Sequence, residues 1–351
     1  MSLKATLVEI LEQQVEGRGT AGIAVITAGT AEPVTAWVPG SADEEPAYLA
    51  YSITKTFIAA LVLLLRDERR VSLDDRLARW FPALAGAERI SLRQLLNHTA
   101  GVPDYGGVRA YHDDVRASPS APWSFERFVA ETLEKGLSFE PGSGWAYSNP
   151  GYMFLKRVTE QVGGGSFATL IIERIARPLG LVRTFVPESV GDLATLAPAF
   201  SRSLADDAAP RDIRDSYHPG WVSHGVVAST PTEIACFFDA LFRGHLISSA
   251  SLQELTTLVP ISAARVEPGP WSRPAYGLGI MADAASRWGR LWGHNGGGPG
   301  YTTSAFHAPD LGGASVCAMC ALEEAPGAEQ LVFAVLDVLR RTGTEATTSS
   351  S

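Results

Sequence analysis

The chain is poor in cysteine, in clustered basic residues and in long apolar runs. Its three cysteines are Cys236, Cys317 and Cys320. Cys317 and Cys320 have C-x-x-C spacing, but they lie in the apolar run 314–322, which reads as a buried strand. Residues three apart on a strand point to opposite faces, so a structural role is favoured over redox chemistry or metal binding. No run of Lys and Arg offers a phosphate track, and the net charge is −9 with a pI near 5.3. That excludes a nucleic-acid surface and reads as solubility. The nine consecutive apolar residues Phe57 to Leu65 fall short of the roughly 20 needed to span a bilayer, so no membrane partner is expected. The first twelve residues hold no apolar core and no small-residue cleavage site, so no secretory signal is read there. The expected location is cytoplasmic, or secreted or periplasmic if a signal has been removed. Neither His112-Asp113-Asp114 nor His224 has metal-ligand spacing, so neither metal nor cofactor is expected. A Gly-x-Ser-x-Gly elbow is also missing, which argues against an ordinary α/β-hydrolase.

What is present is a folded composition. The 351 residues are 46% hydrophobic and 19% charged, enough for one large domain or two interleaved ones. Residues 4–15 read as a helix, and 22–26 with 34–38 as a strand hairpin. Residues 52–68 read as a central helix. From about 72 to 205 the pattern is helices and loops, with Ser91 a helix cap and helices over 125–133 and 167–175. A helix over 232–242 follows, then strands at 275–281, 290–292, 303–307 and 314–322, and a last helix over 327–341. The fold class is therefore α/β (α+β): an antiparallel sheet flanked by helices, formed by both chain ends. The expected domains are 1–71 with 206–341 for the sheet and 72–205 for an inserted, mostly helical unit. Residues 342–351 are expected to be a disordered tail.

The chemistry centres on Ser52-Ile53-Thr54-Lys55 at the start of the central helix. A helix apolar on every face belongs in a protein core. Residues three apart share a helical face, with Cβ atoms about 5–6 Å apart, so the Lys55 amine can reach the Ser52 hydroxyl. A serine needs such a base to become a nucleophile. Burial and the positive helix N-terminus both favour a neutral amine. The alternative is a capping serine beside a surface lysine.

Two further stretches can supply partners. In Gly144 to Tyr152, Tyr147 and Asn149 sit on a Gly/Pro-bounded loop: a phenol beside a lysine can shuttle protons, and an amide can bind a substrate carbonyl. The alternative is a turn with a packed tyrosine. In Gly293-His294-Asn295-Gly296-Gly297-Gly298-Pro299-Gly300, Gly296 and Gly297 let a substrate backbone approach closely. A free N–H there can be an oxyanion donor. The alternative is a glycine-rich hairpin with an incidental His294.

Taken in order, Ser-x-x-Lys, Tyr-x-Asn and His-x-Gly resemble the motifs of the serine β-lactamase and penicillin-binding protein family, in its class C β-lactamase-like branch. That branch includes D-alanyl-D-alanine carboxypeptidases, D-amino-acid peptidases and carboxylesterases. The resemblance extends to Leu95-Leu96-Asn97-His98-Thr99-Ala100-Gly101, Phe139-Glu140-Pro141-Gly142, Pro178-Leu179-Gly180-Leu181, Val227-Ala228-Ser229-Thr230-Pro231 and Tyr276-Gly277-Leu278-Gly279. It implies a cleft between a sheet domain and a helical domain. It implies Ser52 as the acylated nucleophile and Lys55 with Tyr147 as the proton-transfer pair, either one being the base. It implies Asn149 on the acyl side of the substrate, and N–H groups of Ser52 and Gly297 as the oxyanion hole. His98 reads as structural. His294 stands where most β-lactamases carry Lys. A histidine is partly charged near neutrality, so a substrate carboxylate would be held less firmly.

The expected activity is therefore a serine hydrolase acting on small esters, amides or peptides. An acyltransferase using the same acyl-serine, a D-alanyl-D-alanine carboxypeptidase or β-lactamase, and a non-catalytic ligand-binding member are the alternatives. Loops around 104–124 and 202–224 are expected to set specificity.

Overall fold

A computed structural model describes residues 2–15, 17–28, 32–40, 42–205, 209–261, 271–323 and 327–348. In chain order the strands are β1 (Ala21–Ile26), β2 (Val34–Val38), β3 (Tyr48–Leu49), β4 (Phe200–Ser201), β5 (Arg211–Asp212), β6 (Ala228–Ser229), β7 (Val259–Pro260), β8 (Pro274–Tyr276), β9 (Met281–Ser286), β10 (Gly289–Gly298), β11 (Tyr301–Ala308) and β12 (Ala314–Cys320). The helices are α1 (Leu3–Val15), α2 (Thr54–Asp67), α3 (Leu92–Leu96), α4 (Arg109–Ala117), α5 (Phe125–Leu133), α6 (Asn149–Gly163), α7 (Phe167–Ile171), α8 (Pro231–Phe242), α9 (Ser249–Leu255) and α10 (Ala328–Thr348).

Eight strands form one sheet in the order β2-β1-β12-β11-β10-β9-β8-β7. Each neighbouring pair is antiparallel. The N-terminal hairpin docks on the last strand, with Ala21 opposite Cys320 and Ile26 opposite Ser315. Both chain ends therefore build the sheet, and no one stretch could complete it alone.

Two apolar layers cover the sheet. On one face α1 and α10 bury Leu7, Leu11, Leu331, Val335 and Leu336 against Val316, Ala318 and Cys320. On the other lie α8, α2 and the helices that follow α2, sharing a core with Ala305, Cys317 and Met319. Alternation along β12 sends Cys317 to one layer and Cys320 to the other, and both thiols are free. Phe57 of α2 stacks on Phe237 of α8, ring centroids 3.8 Å apart. No helix among the described residues is long and apolar enough to cross a membrane.

α2 is buried on nearly every face: Phe57, Ile58, Leu61, Val62, Leu63 and Leu65 are each at most 2% exposed. Burying such a side chain contributes about 1.5–3 kcal/mol, so this helix is a main source of stability.

Several elements differ from the sequence reading, among them β10, expected over 290–292 and found over Gly289–Gly298, and the helices α4 and α9, which were not expected. The strand expected over 275–281 is two strands, β8 and β9, because Gly277 N–H bonds to the Ile280 carbonyl and turns the chain. Gly279 in that turn has φ +73°. Residues 149–163, read as loop at their start, form α6. Ser148 caps it by accepting from the Gly151 N–H, Pro150 lies in its first turn, and Gly164 ends it in the left-handed conformation. α10 continues to Thr348 rather than ending at 341, and residues 349–351 of the expected tail lie outside the described residues.

Gly279 ties this turn to the central helix. A Cβ there would lie 2.5 Å from Ala59 Cβ and 2.8 Å from the Lys55 carbonyl oxygen, both in α2. Gly279→Ala is expected to lower the unfolding free energy by about 2–4 kcal/mol, from overpacking together with left-handed strain. Gly312→Ala has the strain (φ +65°) but open space around it, and is expected to cost about 1 kcal/mol. Equal denaturant midpoints for the two variants would contradict this account.

Candidate active site

Ser52 lies in a single 3-10 turn, Tyr51–Ile53, that runs straight into α2. The turn starts under strain. Tyr51 has φ +44°, costly for any residue with a Cβ. It is held there by a hydrogen bond from its hydroxyl to the Pro299 carbonyl, 2.5 Å, and by burial.

The glycine run of β10 packs on this turn. A Cβ at Gly296 would lie 2.5 Å from the Ala50 carbonyl and 3.1 Å from Ser52 N; one at Gly298 would lie 2.4 Å from the Tyr51 ring. Only glycine permits that approach. A Cβ at Gly297 would meet nothing within 4 Å, and Gly297 lines the cavity beside Ser52.

Lys55 enters one residue into α2 and is fully buried. Its Nζ lies 3.1 Å from Ser52 Oγ, 2.7 Å from Asn149 Oδ1 and 3.2 Å from His224 Nε2. None of these partners is a carboxylate. Burial pushes the amine well below its ordinary value and outweighs the charge of Asp104, which pulls the other way. The helix N-terminus adds to the push. The Lys55 amine is therefore held towards its neutral form.

Tyr147 donates its hydroxyl to Ser52 Oγ at 2.8 Å. Burial holds this phenol above its ordinary value, outweighing the opposing effect of the Ser52 hydrogen bond, so it is a neutral donor. The segment around it is pinned by His98. The His98 carbonyl accepts the Ala146 N–H, its Nδ1 accepts the Ser148 N–H, and its ring packs 4.4 Å from that of Tyr147. Asn149 is the first residue of α6, and its N–H bonds to Asp104 Oδ1 at 2.8 Å. An acid at a helix N-terminus is favourable, and here it also fixes the Asn149 side chain against Lys55.

The structure thus gathers Ser52, Lys55, Tyr147, Asn149 and Gly297, with Gly296 behind them. His294 stands apart from the expected anion holder. It is 1% exposed, its Nε2 faces the Tyr276 hydroxyl at 2.8 Å, and its Nδ1 faces the Asn295 carbonyl. Burial, reinforced by Lys55, pushes it down to about 3. It is neutral at pH 7, and the partial charge expected from an exposed imidazole is not there. His224 is the residue the sequence did not point to. It is 1% exposed and touches Lys55. It sits in Ser223-His224-Gly225, just before Val227-Ala228-Ser229-Thr230-Pro231, and no spacing marks it.

Beside Ser52 lies a cavity of about 140 Å³ walled by Tyr51, Tyr105, Tyr111, Tyr217 and Val222. All but Tyr51 come from the loops around 104–124 and 202–224. No Lys, Arg, Asp or Glu lines it among the described residues.

The chain is similar to known proteins over most of its length. The Beta-lactamase family model matches residues 7–336, and the chain belongs to that family. Penicillin-binding protein 4* of Bacillus subtilis (strain 168) is 30% identical over 265 residues, 72% of this chain and 56% of that protein. Esterase EstB of Burkholderia gladioli is 28% identical over 199 residues, 51% of this chain and 50% of that protein. The chain thus matches little more than half the length of these relatives. A D-stereospecific amidohydrolase from Streptomyces sp. superposes with a TM-score of 0.82 at 29% identity, covering 94% of this chain and 97% of that one.

The buried imidazoles make stability acid-sensitive. Burial lowers His98 and His224 well below the ordinary 6.5, His294 to about 3 and His307 to about 4. Unfolded, these rings bind protons near pH 6.5. Below that pH the unfolded chain holds more protons than the folded one, so stability falls as pH falls. The contribution is complete above pH 6.5 and is lost towards pH 4 for His307 and pH 3 for His294. Each ring steepens the fall by up to about 1.4 kcal/mol per pH unit. Urea unfolding is expected to show a marked loss between pH 7.5 and 4.5. A flat profile over that range would contradict the neutral assignment.

Proposed function

We propose that this member of the beta-lactamase family is a serine hydrolase working through an acyl-enzyme on small esters or amides. The observation that carries it is Ser52 Oγ, within hydrogen-bond reach of a buried amine at 3.1 Å and a half-buried phenol at 2.8 Å, beside a cavity.

Ser52 Oγ attacks the carbonyl carbon and its proton passes to Lys55 Nζ. Lys55 is the better base of the two because its amine is held towards neutral, whereas a Tyr147 phenolate is disfavoured by burial. The carbonyl π electrons move to oxygen, where the Ser52 and Gly297 N–H groups stabilise the oxyanion by several kcal/mol. Tyr147, donating to Oγ, is placed to pass its proton to the leaving group as the tetrahedral intermediate collapses, and it takes in exchange the proton that Lys55 received from Ser52, so that amine and phenol both end neutral. Water then attacks the acyl carbon by the reverse relay and frees the acid. The Asn149 amide N–H₂, opposite the oxygen bound to Lys55, is available to the acyl side of the substrate.

The cavity argues for a compact, uncharged or aromatic acyl group. Its walls are four tyrosines and a valine, its volume is about 140 Å³, and its one imidazole, His224, is kept neutral. A carboxylate on the substrate would lose water and gain no cation. The likeness to an esterase and to a D-stereospecific amidohydrolase supports the ester and amide classes together.

Ser52→Ala is expected to abolish p-nitrophenyl acetate turnover and covalent labelling by a fluorophosphonate, read by intact-protein mass spectrometry. Survival of both would refute Ser52 as nucleophile. Tyr147→Phe is expected to lower kcat/KM by about 10²–10⁴. Neutral acyl esters are expected to acylate faster than esters of the same length ending in a carboxylate.

A further inference from the structure

His224 is the contact to Lys55 that the mechanism above leaves unused. A neutral lysine amine has two N–H groups and one lone pair, and Nζ has three neighbours: Ser52 Oγ, Asn149 Oδ1 and His224 Nε2. The Asn149 oxygen only accepts, so one N–H goes there. For Ser52 to give up its proton, its O–H must point at the lone pair, and Tyr147 leaves it free to do so by donating its own O–H to Oγ. The second N–H then points at His224, whose Nε2 must be bare. Once the proton has moved, Nζ carries three N–H groups, and three acceptors already surround it. No neighbour has to rotate.

We propose that His224 is a positioning residue for the base: its bare Nε2 accepts an N–H of Lys55 and becomes the third acceptor of the ammonium formed when Lys55 takes the Ser52 proton. This rests on the reading of Ser52 as nucleophile and Lys55 as base. The other ring nitrogen, Nδ1, is buried without a hydrogen-bond partner among the described residues, so Lys55 alone selects the tautomer. Burial keeps the ring neutral, and Lys55, His294, Lys156 and His98, each a cation whenever it is protonated, push it the same way. Asp104 is the acid that faces Lys55, and the Tyr147 and Tyr152 rings lie 4.8 and 5.6 Å from Nζ. A hydrogen bond to a charged donor is about twice as strong as one to a neutral donor. The Lys55–His224 contact therefore strengthens as the proton arrives, which is the condition for an interaction to speed a step rather than only tighten binding.

Two variants and one spectrum test this. His224→Phe keeps a ring and removes the acceptor; His224→Gln keeps an acceptor that cannot titrate. With p-nitrophenyl acetate, H224F is expected to lose about 10- to 100-fold in plateau kcat/KM. Its acid limb should move to lower pH, because the ammonium has lost an acceptor. H224Q is expected to stay within about fivefold of the wild type. Imidazole-¹⁵N NMR of the wild-type chain should place the His224 proton on Nδ1. A wild-type plateau and limb in H224F, a limb moving to higher pH, or a proton on Nε2 overturns the proposal. Should H224F fail to fold by circular dichroism, a loss beyond tenfold in folded H224Q overturns it, and retained activity with the Nδ1 proton upholds it. A wild-type chain that forms no acyl-enzyme refutes the hydrolase reading, while the NMR tautomer still decides the His224 geometry.

Discussion

Lys55 sits at the dry end of an apolar helix, and none of its hydrogen-bond partners carries a formal charge. Removing an ammonium from water costs several kcal/mol even after the protein relaxes. The amine escapes that cost by shedding its proton, so the packing that stabilises α2 also leaves a neutral amine beside Ser52. The two effects cannot be separated. A looser helix end would admit water and recharge the amine. The opposite arrangement, a lysine paired with a carboxylate, would be more comfortable and chemically idle.

The serine depends on a second constraint, the approach of β10 to the Tyr51–Ile53 turn. That approach leaves no room for a Cβ at Gly296 or Gly298, and it brings the Pro299 carbonyl to the Tyr51 hydroxyl. The unfavourable φ of Tyr51 survives because the hydrogen bond and the buried ring hold it. The sheet therefore acts on Ser52 through backbone contact. Its ladder, with Gly296 opposite Thr303 and β11 opposite β12, ties that contact to the strand on which the N-terminal hairpin docks.

Parts of this were legible in the sequence for identifiable reasons. Ser52 and Lys55 are neighbours by helical spacing, a local property. Ser91 does cap α3, with Gln94 completing a reciprocal pair of hydrogen bonds, because capping is chemistry over four residues. The α5 range, 125–133, follows from its apolar spacing and its cap. α6 could have been found in the same way, from Ser148, Pro150 and Gly164, but the functional pull of Tyr147 and Asn149 drew the stretch towards a loop. Tyr147 stands out as a phenol on a Gly/Pro-bounded loop, but its pairing with Ser52 and Lys55 comes only from the order of motifs in a resembling family. His224 had no such help: it meets Lys55 across 169 positions, and nothing local to either residue encodes the meeting. The charge of His294 is hidden from the sequence for a related reason. Its residue type suggests partial protonation at neutral pH, but its burial against Tyr276 is a property of the fold.

The neutral state of His294 bears on the whole site. Its ring, with those of Tyr276, His98 and Tyr147, forms a packed aromatic cluster, with His98 4.6 Å from Tyr276 and Tyr276 5.8 Å from His294. A cation at position 294 would sit in this cluster close to Lys55, and its field would lower the basicity of the amine further while drawing anionic substrates in. A neutral ring removes both effects. The amine then keeps what basicity burial allows, and the cavity keeps no electrostatic preference for a carboxylate. A change of base strength and a change of substrate class are thus one physical event, because the same low-dielectric pocket carries both fields. On the proposed reading of this site, the balance falls on the side of a more basic amine and an uncharged acyl group.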